Sequence, residues 1–464
     1  MTKSRVSPTP VAVGRYRYTK RRWRVLVRAF DAFGGVAMRA WRALKPAPAV
    51  ADPARILIIQ LDHLGDAVLT SPLISRLRGA HPGATIDVLA SPSNREVFEA
   101  DSRINRVRLA SRNWFERKRG SWALASAVWT LGRSLRGAGY DLGIDVRGDL
   151  LSVLVLALAG IPRRVGWAMG GGGFLLTDVA PWIPGRHEVE SRLALLAQLG
   201  IASDEPARVE VRVNDDDRAR VASLLASTWP DFGPTRFDRA EPVSRQRGTR
   251  TGNRSSHDQR IQTTVKLRVV ANNINTRTYL DADWLHAGRF GEAAPLLAVH
   301  LGAGTAAKRW PPRHWNTLIS SFLDEGWRVV VVGGPDDVDA ARGLRPHPNL
   351  SDWTGRLTVP GTTALLERAD LFIGADSGPA HLAAAAGVVS VVLFSGTNRP
   401  AQWRPWSRRS LLLRARVACR PCHQKICPLS DHPCMTGLHP ERVHRAAKRW
   451  WRRVHGQESP HVPI

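Results

Sequence analysis

Cysteine is scarce in this 464-residue chain, with four in all. That scarcity argues against a small secreted fold stapled by disulfides. No apolar run reaches the ~18 residues that a bilayer-spanning helix requires. The longest, 150–161, is interrupted by Ser152 and Gly160 and reads as a buried helix. Acidic residues are outnumbered, 40 Asp and Glu against 67 Lys and Arg, for a net charge of +27. Lys20-Arg21-Arg22-Trp23 has the look of a twin-arginine start. The stretch after it carries Arg24, Arg28, Asp31, Arg39 and Arg42, so it lacks the apolar core of an export signal.

What is present fits a globular protein. Hydrophobic residues make up 43% and charged residues 23%, which excludes a wholly disordered or fibrous chain. At roughly 150 residues per domain, the length suggests two or three domains. The positive charge is concentrated. Residues 1–50 hold twelve Lys/Arg and one Asp, residues 235–268 nine against three, and residues 437–464 six against two. Those 112 residues carry +21, and the other 352 only +6. Basic extensions on a near-neutral body suit an anionic membrane surface better than a nucleic-acid-binding core, so no nucleic-acid partner is expected.

Residues 21–45 have apolar side chains at three- and four-residue steps: Trp23, Leu26, Val27, Phe30, Phe33, Ala37, Trp41 and Leu44. Arginines fill much of the remainder. One reading is a helix lying on anionic lipid; the other is a helix docked on the body. Gly34-Gly35 weakens the helix on either reading. Pro46, Pro48 and Pro53 then mark a linker.

From Arg55 short apolar runs alternate with helical patterns, the signature of β-α-β units and a parallel sheet. Candidate strands are 55–61, 84–90, 106–109 and 140–146. Residues 230–292 are mostly poor in apolar residues and read as an insert or long linker. A second α/β domain begins at Ala294, with strands at 296–301, 327–332, 371–374 and 388–394. Ligands of open α/β sheets bind at the carboxyl ends of the strands, which two such domains would turn toward a shared cleft. The expected organisation is a basic extension over 1–53, a first domain over 54–215, a linker with insert over 216–293, a second domain over 294–440 and a basic tail helix over 441–464.

Four segments carry chemistry. Gly65-Asp66 follows the first strand, and Asp66 is either a general base or a helix N-cap. Gly302-Ala303-Gly304-Thr305 follows the first strand of the second domain and leads into Lys308-Arg309-Trp310-Pro311. Its backbone N–H groups and cations could meet a diphosphate; its rival is a plain junction with solvated cations. Asp376-Ser377-Gly378-Pro379-Ala380-His381 begins another helix. Two anion-friendly helix starts favour a nucleotide-diphosphate site. Cys419, Cys422, Cys427 and Cys434 lie within sixteen residues, near His423 and His432. They could hold a structural zinc or remain buried or paired thiols.

Taken in order, these motifs resemble the ADP-heptose:lipopolysaccharide heptosyltransferases, glycosyltransferase family 9. The resemblance covers about 54–215 and 294–445. It includes Gly333-Gly334-Pro335 and the cysteine-rich end at Cys434-Met435. It implies a GT-B architecture: an α/β fold of two Rossmann-like domains facing a cleft. It also implies an inverting transfer that needs no metal or other cofactor, with an ADP-sugar as donor and the lipid A-core oligosaccharide as acceptor. Asp66 becomes the expected base. Gly302, Gly304, Thr305, Lys308, Asp376, Ser377, Gly378 and His381 become the expected donor residues, with His187 and Glu188 at the acceptor. The expected location is cytoplasmic, peripheral on the inner face of the membrane. The basic extension and the insert depart from the family pattern, as does Gln60, where Arg is common. The rivals are a same-fold transferase with another donor sugar or acceptor, a non-catalytic protein that binds anionic surfaces, and a nucleotide-sugar epimerase.

Overall fold

A computed structural model of the chain describes residues 21–44, 52–110, 121–202, 204–232 and 294–456. Most of the expected insert, and the first twenty residues of the basic extension, lie outside these.

The first sheet is built from β1 (Arg55–Gln60), β2 (Thr85–Ala90), β3 (Arg106–Leu109), β4 (Leu142–Asp145), β5 (Arg163–Gly166) and β6 (Asp178–Val179), in the order β3-β2-β1-β4-β5-β6. The second comprises β7 (Leu296–His300), β8 (Arg328–Val332), β9 (Leu350–Asp352), β10 (Leu371–Ala375), β11 (Ser390–Leu393) and β12 (Ser410–Leu413), in the order β12-β11-β10-β7-β8-β9. Every neighbouring pair is parallel. Both orders are the doubly wound arrangement, in which the chain reverses direction between the first and fourth strands. The expected two Rossmann-like halves are therefore present, and both belong to one compact unit.

The central strands are apolar because both faces are covered. Ile56 to Ile59, Leu296 to Val299 and Val329 to Val332 are essentially inaccessible. The missed strands β5, β6, β9 and β12 lie on the outer sides of the sheets. They are short and mostly half-buried, so they lack the continuous apolar run that marks a central strand.

Two segments differ from the expected organisation. The linker was expected from residue 216, yet Asp215–Thr228 is a helix packed on the helix Val359–Arg368 of the second half. Trp229 behind it donates from Nε1 to the carbonyl of Pro348. The tail helix is Pro440–Gly456, and it is part of the second half's core. Val443, Ala447 and Trp451 pack with Phe322 and Trp327 in one apolar cluster. Its arginines 442, 445, 449, 452 and 453 remain exposed.

The N-terminal helix spans Arg21–Leu44 and is docked along one edge only. Val27 is buried, Asp31 Oδ1 accepts from the Gly172 N–H at 2.7 Å, and Phe30 meets Phe174 at 5.2 Å. Gly34 is tolerated because the Phe174 ring occupies the space of a side chain there. The apolar arc of Leu26, Phe30, Phe33, Ala37 and Leu44 faces outward, with Phe33 80% exposed. One edge of this helix thus docks on the body, and the apolar arc is left bare.

Candidate active site at the two strand switch points

The site forms at the carboxyl ends of the strands where each sheet reverses. In the first half, β1 runs into the loop 61–63 and then the helix Leu64–Ala80. The loop is braced from below. Asn94 Nδ2 donates to the carbonyls of Gln60 and Asp62 at 3.1 and 2.7 Å. Gln60, fully buried, donates to Thr70 Oγ1 at 2.7 Å and accepts from the Asp62 N–H at 3.1 Å. The residue that departs from the usual Arg thus serves as a loop brace.

The N-cap of this helix is His63, and no side chain caps it. Asp66 lies in the first turn, and its Oδ1 accepts instead from Arg192 Nη2 at 2.9 Å. That arrangement removes the capping reading. Arg192 is 1% exposed and also pairs with Glu188 at 3.1 Å, one turn earlier on the helix Glu188–Ala197. A second carboxylate stands nearby. Burial, reinforced by the Asp66 charge, raises Asp62 to about 7, against the opposing pull of Arg147 at 3.6 Å. Asp145, at the end of β4, is pushed up to about 8 by burial and the Asp149 charge, while the N–H groups of Arg147 and Gly148 hold it back.

In the second half, β7 ends at His300. His300 joins Asp337 at 3.1 Å through Nε2 and Ser377 Oγ at 3.1 Å through Nδ1. Ser377 is the N-cap of the helix Gly378–Ala386, but its side chain makes no capping bond. Pro379 has no N–H and the Ala380 N–H donates to the Ser377 carbonyl at 3.2 Å, which leaves the Gly378 N–H for another acceptor. Lys308 lies in a short turn after Gly302-Ala303-Gly304, with Nζ 2.8 Å from Asp376 Oδ2 and 3.1 Å from the Asp376 carbonyl. Asn398 Nδ2 donates to the same carboxylate oxygen at 2.8 Å. Arg309, the neighbouring cation, points outward and is exposed. Thr305 Oγ1 is shielded with no partner among the described residues, and so is His381 Nδ1. Burial lowers the pKa of His381.

The two halves meet across these helix starts. A side chain at Gly65 would stand 2.7 Å from His381 Cδ2, and one at Gly378 would stand 2.7 Å from Leu64 Cδ2. Glycine is required at both places because each helix start presses on the other. The positive ends of two helices thus converge, with Asp66 on one side and Lys308, Asp376 and Ser377 on the other.

The chain is similar to known proteins. A family model described as "Glycosyltransferase family 9 (heptosyltransferase)" matches residues 128–231 and 273–432. The chain belongs to this family. It is a glycosyltransferase with the expected α/β GT-B-type fold. The matched stretch includes Lys308 and 376–381 but begins after Asp66. The chain is 25% identical over 357 residues to the lipopolysaccharide heptosyltransferase 3 of Escherichia coli, covering 75% of this chain and 85% of that protein. It is 24% identical over 407 residues to the lipopolysaccharide heptosyltransferase 1 of Pseudomonas aeruginosa, covering 84% and 96%. The family 9 glycosyltransferase of Veillonella parvula has the same fold, with a TM-score of 0.61 at 18% identity over 87% of this chain and 98% of that one. The E. coli ADP-heptose lipopolysaccharide heptosyltransferase II gives 0.59 at 20% identity over 86% and 99%.

His187 and Glu188, expected at the acceptor, are buried and spent on contacts within the protein. His187 Nε2 meets the Arg404 carbonyl at 2.8 Å, its ring lies 4.5 Å from Trp406, and Gln402 Nε2 donates to Glu188 Oε1 at 2.7 Å. Among the described residues no three His, Cys, Asp or Glu are gathered as a metal ion requires, and all four thiols are free. The segment instead folds over the Lys308 turn. The Ala307 N–H donates to the Lys425 carbonyl at 3.0 Å, and His432 Nε2 meets the Ala307 carbonyl at 3.0 Å. Sequence reasoning missed Arg192, Asn398 and Gln402. Only Arg192 left a trace, its four-residue spacing from Glu188 on one helix face.

Proposed function

We propose that the protein transfers a heptose from ADP-heptose to the core oligosaccharide of lipopolysaccharide, with inversion and without a metal. The observation that carries this reading is the convergence of two uncapped helix starts between Asp66 and the Lys308–Asp376 pair. The relatives' names support the donor and the acceptor.

Asp66 accepts the proton of an acceptor hydroxyl. The hydroxyl oxygen attacks the anomeric carbon on the face opposite the phosphate. The carbon–oxygen bond to phosphate breaks, and ADP leaves with the bonding pair. The Gly378 N–H at the start of the Gly378–Ala386 helix and Lys308 meet the departing charge, an arrangement worth most in a site shielded from water. Gly302, Gly304 and Thr305 let the backbone approach the diphosphate. Asp376 holds Lys308 in place and faces the donor sugar. His381 completes the pocket from below.

The exposed arc of the Arg21–Leu44 helix supports a peripheral site on the inner face of the cytoplasmic membrane. Leu26, Phe30, Phe33 and Leu44 enter the headgroup boundary, and the flanking arginines meet anionic lipid. That location brings the cleft to a lipid-linked acceptor.

The test is Asp66→Asn. General-base catalysis is worth about 10²–10⁴-fold, so transfer should fall by at least ~100-fold while ADP binding, read by calorimetry, is retained. Unchanged turnover would remove Asp66 from the mechanism.

A further inference from the structure

Asp66 does not stand alone, and what holds it is tied to the other half of the protein. Arg192 gives Nη2 to Asp66 Oδ1 and sits 3.1 Å from Glu188 Oε2 through Nη1. Glu188 Oε1 is in turn held by Gln402 Nε2 at 2.7 Å. Gln402 belongs to the short helix Pro400–Trp403 of the donor-binding half, and Arg404 beside it receives the His187 ring. A continuous chain of contacts therefore runs from the second half to the base: Gln402, Glu188, Arg192, Asp66.

We propose that Arg192 is the positioning residue for the base, and that Gln402, through Glu188, makes its placement depend on the seating of the donor half. The proposal rests on the assignment of Asp66 as base. Arg192 takes only one oxygen of Asp66, leaving Oδ2 for the acceptor hydroxyl. A guanidinium buried purely as a brace has its donors spent, whereas Nε and Nη1 of Arg192 are shielded and have no hydrogen-bond partner among the described residues, Nη1 meeting Glu188 as an ion pair only. Glu188 supplies the second requirement. When Asp66 takes the proton and becomes neutral, Arg192 keeps a counter-charge, and no lone cation is left buried. Gln402 occupies the other oxygen of Glu188. Without that contact, Glu188 can take both ends of the guanidinium fork and draw it from Asp66.

The experiment is heptosyl transfer by the full chain from ADP-heptose to deacylated lipopolysaccharide core, with Arg192→Met, Arg192→Lys and Gln402→Ala. For Arg192→Met the expected result is a fall in kcat of ~30- to 100-fold, within the range of a general-base contribution. KM for both substrates should stay within about twofold, since uniform binding is untouched. Arg192→Lys should recover a large part of kcat, because it restores the charge. Gln402→Ala should lower kcat by ~3- to 10-fold, the size of one hydrogen bond, at unchanged ADP affinity. Adding Arg192→Met to Asp66→Asn should cost nothing further, because Arg192 acts through Asp66.

Full rate in Arg192→Met overturns the proposal, as does a parallel change in kcat and KM, or a Lys variant no better than Met. Should Arg192→Met not fold, Gln402→Ala and Arg192→Lys decide: wild-type kcat in Gln402→Ala refutes the coupling. Turnover retained in Asp66→Asn marks failure of the base assignment itself. An inactive Asp66→Asn beside a fully active Arg192→Met marks failure of this inference alone.

Discussion

Replacing Lys308 with methionine keeps the length of the side chain and removes its charge. Asp376 is 4% exposed, and its carboxylate has two donors, Lys308 Nζ and Asn398 Nδ2, both at 2.8 Å. At that separation two unit charges interact by about 6 kcal/mol gross at an effective dielectric of 20. Most of this offsets the desolvation of both ions. What matters is the carboxylate left behind, since losing one partner of a buried pair costs about 3–5 kcal/mol. Asn398 still holds the carboxylate and the Lys308 side chain is 19% exposed, so the lower end, about 3 kcal/mol, is expected for Lys308→Met. Asp376→Asn should cost less, about 1 kcal/mol, because a partly exposed ammonium can turn to water. The double variant should then lie close to Asp376→Asn alone. Urea unfolding of the four proteins gives the coupling from the midpoints at constant slope. Coupling within about 0.5 kcal/mol of zero would refute the buried-pair argument. The same pairing bears on the chemistry. Lys308 is already engaged before ADP arrives, so ADP should bind Asp376→Asn at least as tightly as the wild type, and Lys308→Met more weakly.

Three further outcomes follow from the same geometry. Gly378→Ala places a methyl against Leu64, and Gly65→Ala places one against His381. Each should lower transfer by at least ~10-fold through a misplacement of catalytic groups; full activity in both would mean that the halves need not meet this closely. Asp62 and Asp145 have folded pKa values of about 7 and about 8, above the ordinary 3.8. Their contribution is therefore complete below pH ~4 and is lost as pH rises through those values. His187, lowered to about 4 by burial, acts oppositely, its contribution being lost as pH falls from 6.5 toward 4. From pH 6.5 to 8 the two carboxylates together should remove about 2 kcal/mol of unfolding free energy, set against the opposite contribution of His187, His381 and the other histidines whose pKa burial lowers. Asp145→Asn should remove most of that slope, and an equal slope in the variant would contradict the assignment. Vesicles of anionic lipid should sediment with the protein and neutral vesicles should not; Phe33→Asp should abolish sedimentation without touching the edge of the helix that packs on Phe174.

Much of this was legible in the chain because parallel strands buried on both faces announce themselves. Ile56 to Ile59 and Val329 to Val332 could hardly be anything else. The outer strands could not be read. Asp178–Val179 is two residues long, and Ser410–Leu413 is only half-buried. The candidate site was legible as motifs and not as pairs. Nothing local says that Lys308 spends its charge on Asp376, sixty-eight residues on, or that Asp66 meets Arg192 across 126 residues. The Asp66 ambiguity was real at the level of sequence, since Asp in the first turn of a helix is favoured on either reading. The Arg192 contact decides against a cap. The C-terminal helix misled by composition: its five exposed arginines suggest a tail, while Val443, Ala447 and Trp451, spaced by four, fill the core.

The most direct test of the central claim is product mass after incubating the purified protein with ADP-heptose, UDP-glucose or GDP-mannose and deacylated core acceptors, with nucleotide release read alongside. One heptose should be added from the ADP donor only, with a stoichiometric release of ADP and no addition by Asp66→Asn. Sugar transferred from UDP-glucose or GDP-mannose instead, or an Asp66→Asn variant that adds heptose at the wild-type rate, would contradict it.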